Sequence, residues 1–371
     1  MSDRLRVAVT VEQSWHAVPG GIARATVELL RALVARGDVD VVGVAARHRA
    51  PPPHDLVPPV TIRQLPLGRR LLYESWQLLR MPRVERATGP IDVVHDGGYV
   101  VPPSRAPLVA TVHDLFFETY PEHYTRHSLQ VFRRGFALAR REARLVICPS
   151  LATRAACAAA GIEEDRLRVV PLGVRASQPD RDRTDRVRRR YGVERPYVLF
   201  CGTIEPRKNL RRVLRSFGAI ADGRDVELLV AGPQGWKEDI RADVSGLRGR
   251  ARAIGFVARD DLDVLYAGSA AVVYPSLAEG FGLPVLEAMA NGAAVVTSKG
   301  TATEEVAAGA ALLVDPLDVD EIGAAIERLL DDRALAAELG SAARARASTF
   351  TWDRTAELTH QVYAEVAGDA R

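Results

Sequence analysis

The sequence predicts an α/β fold of two doubly wound domains, and three features point there. Short apolar, β-branched runs recur along the chain, which is how strands buried on both faces of a parallel sheet read. They alternate with segments of helix length, the pattern of β-α-β units. The series is broken once, near mid-chain, by "RASQPDRDRTDRVRRRYGVER" (175–195), charged and almost free of apolar residues. A chain of 371 residues also exceeds the size at which one core usually suffices.

Taken in order, "LRVAVTV" (5–11) predicts the first strand, "EQSWHAVPGG" (12–21) a glycine-bearing loop, and "IARATVELLRALVARG" (22–37) a helix closed by glycine. "VDVVGVAA", "IDVVH", "LVATVHD", "RLVICPS" and "LRVVPLG" continue the strands of the first domain. After the break come "YVLFCG", "VELLVAG", "ARAIGF", "AAVVYPS", "AAVVTS" and "AALLVDP". The expected boundaries are 1–178 for the first domain, 179–195 for a linker region with room for a short solvated helix, and 196–350 for the second domain. Two such domains would leave a cleft between the carboxyl ends of their sheets, where open α/β folds bind ligands.

Composition narrows the function. Apolar residues at 47% and charged residues at 26% suit a folded protein. A formal charge of +3 is too small to indicate nucleic acid as a partner. Only three lysines occur, Lys208, Lys237 and Lys299, so the positive charge is almost all arginine. Cys148, Cys157 and Cys201 are odd in number and form no CxxC pair, which predicts a reducing compartment and no metal site. No stretch reads as a signal peptide or as the ~20 apolar residues of a membrane span. The expectation is a cytoplasmic protein.

Two segments of the second domain carry chemistry. In "YVLFCGTIEPRKNLRRVLRSFGAI" a strand ends at Gly202 and a helix starts near Asn209, placing Arg207 and Lys208 at a helix N-terminus. The macrodipole disfavours cations there, so the pair makes sense beside a bound anion; the plain alternative is a solvated basic pair. In "AAVVYPSLAEGFGLPVLEAMANG" the strand is 270–275 and the loop 276–282, with Pro284 suited to a first helical turn. Glu279 is then in the loop and Glu287 in that first turn. Gly280 and Gly282 let a ligand approach the backbone closely. The arrangement reads as a phosphate and polyol cradle with a carboxylate on each side; the bland alternative is one solvated glutamate and one complementing a helix dipole.

On "EGFGLPVLEAMANGAAVVTS" with its E-x7-E spacing, "GTIEPRKNL" and "AALLVDP", the chain resembles the retaining GT-B glycosyltransferases of family 4 (glycosyl transferases group 1), in the style of bacterial surface-polysaccharide mannosyltransferases. The resemblance spans nearly the whole chain, though its specific motifs lie mostly between 200 and 316. It implies two Rossmann-like domains facing each other across a cleft, with residues 351–371 a helix crossing back to the N-terminal domain. It implies a nucleotide-sugar held by the C-terminal domain and a glycan or lipid-linked acceptor held by the N-terminal one. Glu287 would bind the ribose diol and Glu279 the donor sugar near the reacting carbon. Phe281, Gly282 and Leu283 would supply N–H groups, Arg207 and Lys208 would clamp the diphosphate, and Gly255, Phe256 and Val257 would meet the base. Many relatives read Gly-Arg where this chain has Gly202-Thr203, which leaves Arg207 as the second cation. "TEEVAAGAALLVDP" matches the common family ending only approximately.

In the first domain, "PGGIARA" matches the family's glycine loop, with Gly20 and Gly21 opening a helix toward the diphosphate; the alternative is a plain turn. Of the two strand-end His-Asp pairs, His113-Asp114 matches the family's histidine near the donor sugar, while His95-Asp96 reads more simply as structural. The resemblance implies a metal-independent hexosyl transfer (EC 2.4 class) with no cofactor and retention of configuration. GDP-mannose is the first expectation for the donor, with UDP-glucose, UDP-N-acetylglucosamine and dTDP-rhamnose open. "LGRRLLYESWQLLRMPRVERA" (67–87) and "HYTRHSLQVFRRGFALARREARL" (123–145) would suit peripheral contact with an anionic membrane; the alternative is core-facing helices with solvated arginine faces. Competing readings are a nucleotide-sugar epimerase or phosphorylase, against which the E-x7-E pattern beside "EPRKN" speaks, and a non-catalytic nucleotide-sugar-binding protein. An NAD-dependent oxidoreductase would need a G-x-G-x-x-G loop that "PGG" does not supply.

Overall fold

A computed structural model describes residues 4–16, 20–52, 56–177 and 180–368. Pro19 of the expected glycine loop and residues 178–179 at the expected linker boundary lie outside these. The chain divides into two units, residues 1–173 with 351–371, and residues 174–350.

The first unit is built on a sheet of β1 (Leu5–Thr10), β2 (Val39–Ala45), β3 (Ile62–Gln64), β4 (Val93–Asp96), β5 (Leu108–Thr111), β6 (Ala143–Cys148) and β7 (Leu167–Val169). Its spatial order is β3-β2-β1-β4-β5-β6-β7, and every pairing is parallel. Alternate residues of the strands feed opposite cores, as the two-residue period requires. Ala8, Val42, Val94 and Ala110 pack on one face; Val7, Val9, Val41, Val93 and Val109 pack on the other. The second face is covered by the helix Gly21–Arg36 and by Trp352–Gly368, which contributes Trp352, Ala356, Val362, Tyr363 and Val366 to that core. The C-terminal segment is thus an internal part of the first unit. β3 is the one strand the pattern did not announce: "IRQ" sits at the sheet edge, with two of its three residues exposed.

The second unit carries β8 (Tyr197–Cys201), β9 (Glu227–Ala231), β10 (Ala251–Gly255), β11 (Ala271–Tyr274), β12 (Val295–Ser298) and β13 (Leu312–Val314). The order is β10-β9-β8-β11-β12-β13, again all parallel. Strand order reverses between β8 and β11, so the loops leaving their carboxyl ends diverge and open a crevice, the usual ligand position in such sheets. The charged stretch after Arg175 contains the helix Arg181–Arg190, which lies in this unit. Its Val187 is buried, and Arg190 Nη1 and Tyr191 Oη meet Asp261 Oδ2 at 2.9 and 3.0 Å.

Candidate functional site

The crevice between β8 and β11 is filled by a charge cluster. After β8 the chain makes a single 3-10 turn, Pro206–Lys208, then passes through Asn209 in the left-handed region (φ 64°) into the helix Leu210–Ile220. Asparagine is among the non-glycine residues that adopt this conformation most readily, and distant parts of the chain hold its amide: Nδ2 donates to the carbonyls of Pro275 at 2.8 Å and Pro316 at 2.6 Å. That turn aims Lys208 under the strand ends. Lys208 Nζ donates to Glu279 Oε1 at 2.6 Å and to Tyr274 Oη at 2.5 Å. Arg207 Nη1 lies 3.0 Å from Glu279 Oε2, and Nη2 donates to Glu205 Oε1 at 2.7 Å. Ser276 Oγ and Tyr274 Oη also donate to Glu279 Oε1, at 2.8 and 2.9 Å.

The expected position of Arg207 and Lys208, at the N-terminus of the helix, is corrected. They precede the helix in a separate turn, and Glu205 and Glu279 already supply negative charge. Burial opposes ionisation of Glu279, but Arg207 and Lys208 outweigh it and hold its carboxyl down at about 2. Burial, then Arg207, lowers the pKa of Lys208, with Glu279 acting against them. Charge-assisted hydrogen bonds of this kind are short and strong. Each member is fixed by several contacts at once, which suits a preorganised electrostatic site.

The loop after Glu279 is held by its own side chains. Phe281 is buried edge-on against Phe350, centroids 5.9 Å apart. Gly282 has φ +100°, and a Cβ there would stand 2.6 Å from Thr303 Cγ2, so only glycine fits. The helix begins at Leu283, with Pro284 in its first turn and Leu286 N donating to Gly282 O at 3.1 Å. Glu287 is consequently in the second turn, not the first as expected. It is also not an open carboxylate: it pairs with Arg259 Nη1, whose Nε lies 3.1 Å from Asp263 Oδ1. Burial works against the Arg259 charge, yet Glu287 and Asp263 raise its pKa.

The structure thus brings Arg207, Lys208 and Glu279 into one cluster, and sets Glu287 in a second cluster with Arg259 and Asp263. Thr203 lies in the loop after β8, its methyl close against Gly235. Gly255 ends β10 with φ +71°, followed by Phe256, 67% exposed, and Val257, buried. In the first unit, Gly20 caps and Gly21 opens the helix after β1, without a side-chain cap. His113 Nε2 is 3.2 Å from Gly97 O, and burial lowers its pKa. His95 is fully engaged in the core, with Nδ1 2.7 Å from Tyr363 Oη and Nε2 2.7 Å from Thr111 Oγ1. Glu205, Arg259, Tyr274 and Ser276 were missed by the sequence reading. Glu205 stood in "EPRK" and Tyr274 and Ser276 in "VVYPS", but nothing in the text marked Arg259.

A family model described as Glycosyltransferase Family 4 matches residues 19–178, and one described as Glycosyl transferases group 1 matches residues 182–346. The O-antigen chain mannosyltransferase B of Escherichia coli is 30% identical over 304 residues, 79% of this chain and 80% of that one. The MMP alpha-(1->4)-mannosyltransferase of Mycolicibacterium hassiacum is 33% identical over 302 residues, 74% of this chain and 71% of that one. Among solved structures, Anabaena HepE in complex with UDP and glucose aligns with a TM-score of 0.77 at 20% identity, over 98% of this chain and 100% of that one. Two parallel-sheet α/β units of this kind are the architecture of the GT-B glycosyltransferases. The chain belongs to glycosyltransferase family 4, the glycosyl transferases group 1, and is a transferase.

Proposed function

We propose that the chain transfers a mannosyl unit from GDP-mannose, with retention and without metal, to a glycan or lipid-linked hydroxyl in bacterial polysaccharide synthesis. In this reading it works in the cytoplasm at the face of an anionic membrane. The carrying observation is the Glu279 carboxylate, kept ionised between Arg207 and Lys208 at the strand-order reversal of the second unit. The mannosyltransferase relatives support the sugar; the UDP complex of a structural neighbour supports a nucleoside diphosphate at this fold.

The chemistry follows from the charges. As the glycosidic bond to the diphosphate breaks, negative charge grows on the leaving oxygen, and Arg207 and Lys208 are the groups able to offset it. Thr203 and the N–H groups of Gly280, Phe281, Gly282 and Leu283 would add donors. Glu279, relinquishing part of its hold on the cations, would orient the sugar and face the positive charge developing at the reacting carbon. The leaving phosphate would assist deprotonation of the acceptor. Glu287 would take the ribose hydroxyls once Arg259 shares it, beside Gly255, Phe256 and Val257 at the base.

Titration calorimetry of the full chain against nucleoside diphosphates and nucleotide-sugars, with and without divalent metal, tests this. The expected result is metal-independent binding of one nucleoside diphosphate, lost in Glu287→Ala and largely retained in Glu279→Ala, whose transfer activity is abolished. A folded chain that binds no nucleotide defeats the reading.

A further inference from the structure

We infer that the first unit holds a binding site for an acidic saccharide, built on the loops that follow β1, β2 and β3. The inference rests on the transferase reading and deepens it: the sugar bound there is the acceptor, and it carries a phosphate or a carboxylate. A cavity of about 430 Å³ opens among Trp15, His48, Gly68, Arg69, Arg70 and Leu71, a size that suits a small ligand. Trp15 comes from the turn Glu12–Trp15 after β1, and His48 from the segment after β2. The other four come from the start of the helix Arg69–Leu78 after β3. Three separate loops thus meet at the edge where open α/β sheets take ligands.

One wall is a fixed aromatic plate. The Trp15 indole and the His48 imidazole stack with centroids 4.4 Å apart and planes 6° from parallel. Both rings are tethered. Trp15 Nε1 donates to Ala50 O at 2.9 Å. His48 Nε2 lies 2.9 and 3.0 Å from the two carboxylate oxygens of Glu12, and Glu12 Oε2 also accepts from Ala46 N at 2.8 Å. Glu12 is only 4% exposed, while Trp15 and His48 are both partly exposed. A buried carboxylate is therefore committed to orienting a ring that solvent can reach. With Nε2 donating to Glu12, His48 Nδ1 has no partner among the described residues and is left for a hydroxyl. A flat π face bordered by such a group suits the C–H face and hydroxyl rim of a pyranose.

The other wall is cationic. Arg69 and Arg70 are exposed, and neither has an ion pair or a side-chain hydrogen bond among the described residues. Elsewhere on this unit Arg36, Arg133 and Arg168 pair with carboxylates. Arg69 and Arg70 also stand in the first turn of a helix whose dipole opposes them. The cap residue, Gly68, brings no side-chain oxygen to the first N–H groups of that helix. An anion at the arginines would answer both deficits at once. Guanidinium forks accept phosphate and carboxylate alike. Beside an aromatic plate, they select a ligand that has both an anionic group and a carbohydrate face.

Ligand-observed NMR titration of the full chain tests this, with mannose 6-phosphate, glucuronic acid, methyl α-mannoside and inorganic phosphate as probes. At least one acidic sugar should bind about tenfold tighter than methyl α-mannoside and than inorganic phosphate. Which of the two does so tells phosphate from carboxylate. Arg69→Gln/Arg70→Gln should bring the acidic sugar down to the level of the neutral one. Trp15→Ala should weaken acidic and neutral sugars together, with thermal melts showing both variants folded. Should Trp15→Ala fail to fold, the exposed arginine pair still decides. No sugar binding, equal binding of acidic and neutral sugars, or inorganic phosphate binding as tightly as the sugars would each overturn the inference. So would an undiminished acidic preference in the arginine variant. Nucleotide calorimetry on the same preparations reports on the transferase reading separately: a chain that binds nucleotide but shows no acidic-sugar preference defeats this inference alone.

Discussion

Glu279 neutralises two cations at once, and its removal has consequences beyond catalysis. Glu279→Gln keeps the shape but leaves Arg207 and Lys208 facing each other in a buried site, at an expected cost of about 3 kcal/mol in unfolding free energy. Since the folded carboxyl titrates near 2 and the ordinary value is 4.5, its stabilisation is complete above pH 4.5 and is lost as pH falls toward 2. Denaturation curves should show that acid limb in the native chain and a weaker one in the variant. If the cations do bind a diphosphate, the ligand should raise the variant's melting temperature more than the native one's. Asp96 has the opposite sign. Burial raises its carboxyl to about 7 despite donation by Thr10 Oγ1 and Gly98 N to Oδ1, and Oδ2 has no partner among the described residues. The folded chain holds this proton where the unfolded chain has released it. Asp96 therefore makes stability fall as pH rises from about 4 to about 7, a slope that Asp96→Asn should remove in the same measurement.

At the scale of elements, the C-terminal helix is pinned by a polar contact inside an apolar core. His95, pushed by burial down to about 3, is a neutral ring serving Tyr363 and Thr111. Tyr363→Phe would leave His95 Nδ1 unsatisfied and should cost about 1–3 kcal/mol, readable as a lowered urea midpoint with an unchanged slope. Strands of both units were legible because runs such as "VDVVGVAA" and "VELLVAG" must be apolar on both faces. β3 was not, since an edge strand can be polar. That Lys208 and Glu279 both lie just past strand ends was legible, because each motif directly follows an apolar run; their direct pairing was not, because the sequence pattern assigns both to a ligand. The pairing of Arg259 with Glu287 was not, because it depends on how two helices lie against one sheet, and "VARDDL" reads as an ordinary solvated helix start.

At the scale of the molecule, the first unit is discontinuous in sequence, closed by residues 351–371. A chain ending at Phe350 would expose the core face that includes Val7, Val9, Leu30 and Leu33. Calorimetric melting of that truncation should lose or sharply lower the transition of the first unit while keeping that of the second. The same closure has a bearing on synthesis. A ribosome delivers residues 1–173 first, yet these cannot complete their core until the last helix emerges, whereas residues 174–350 can close as soon as they are free. The unit made first thus finishes last, and until its closing helix is available the valines and leucines beneath it stay uncovered.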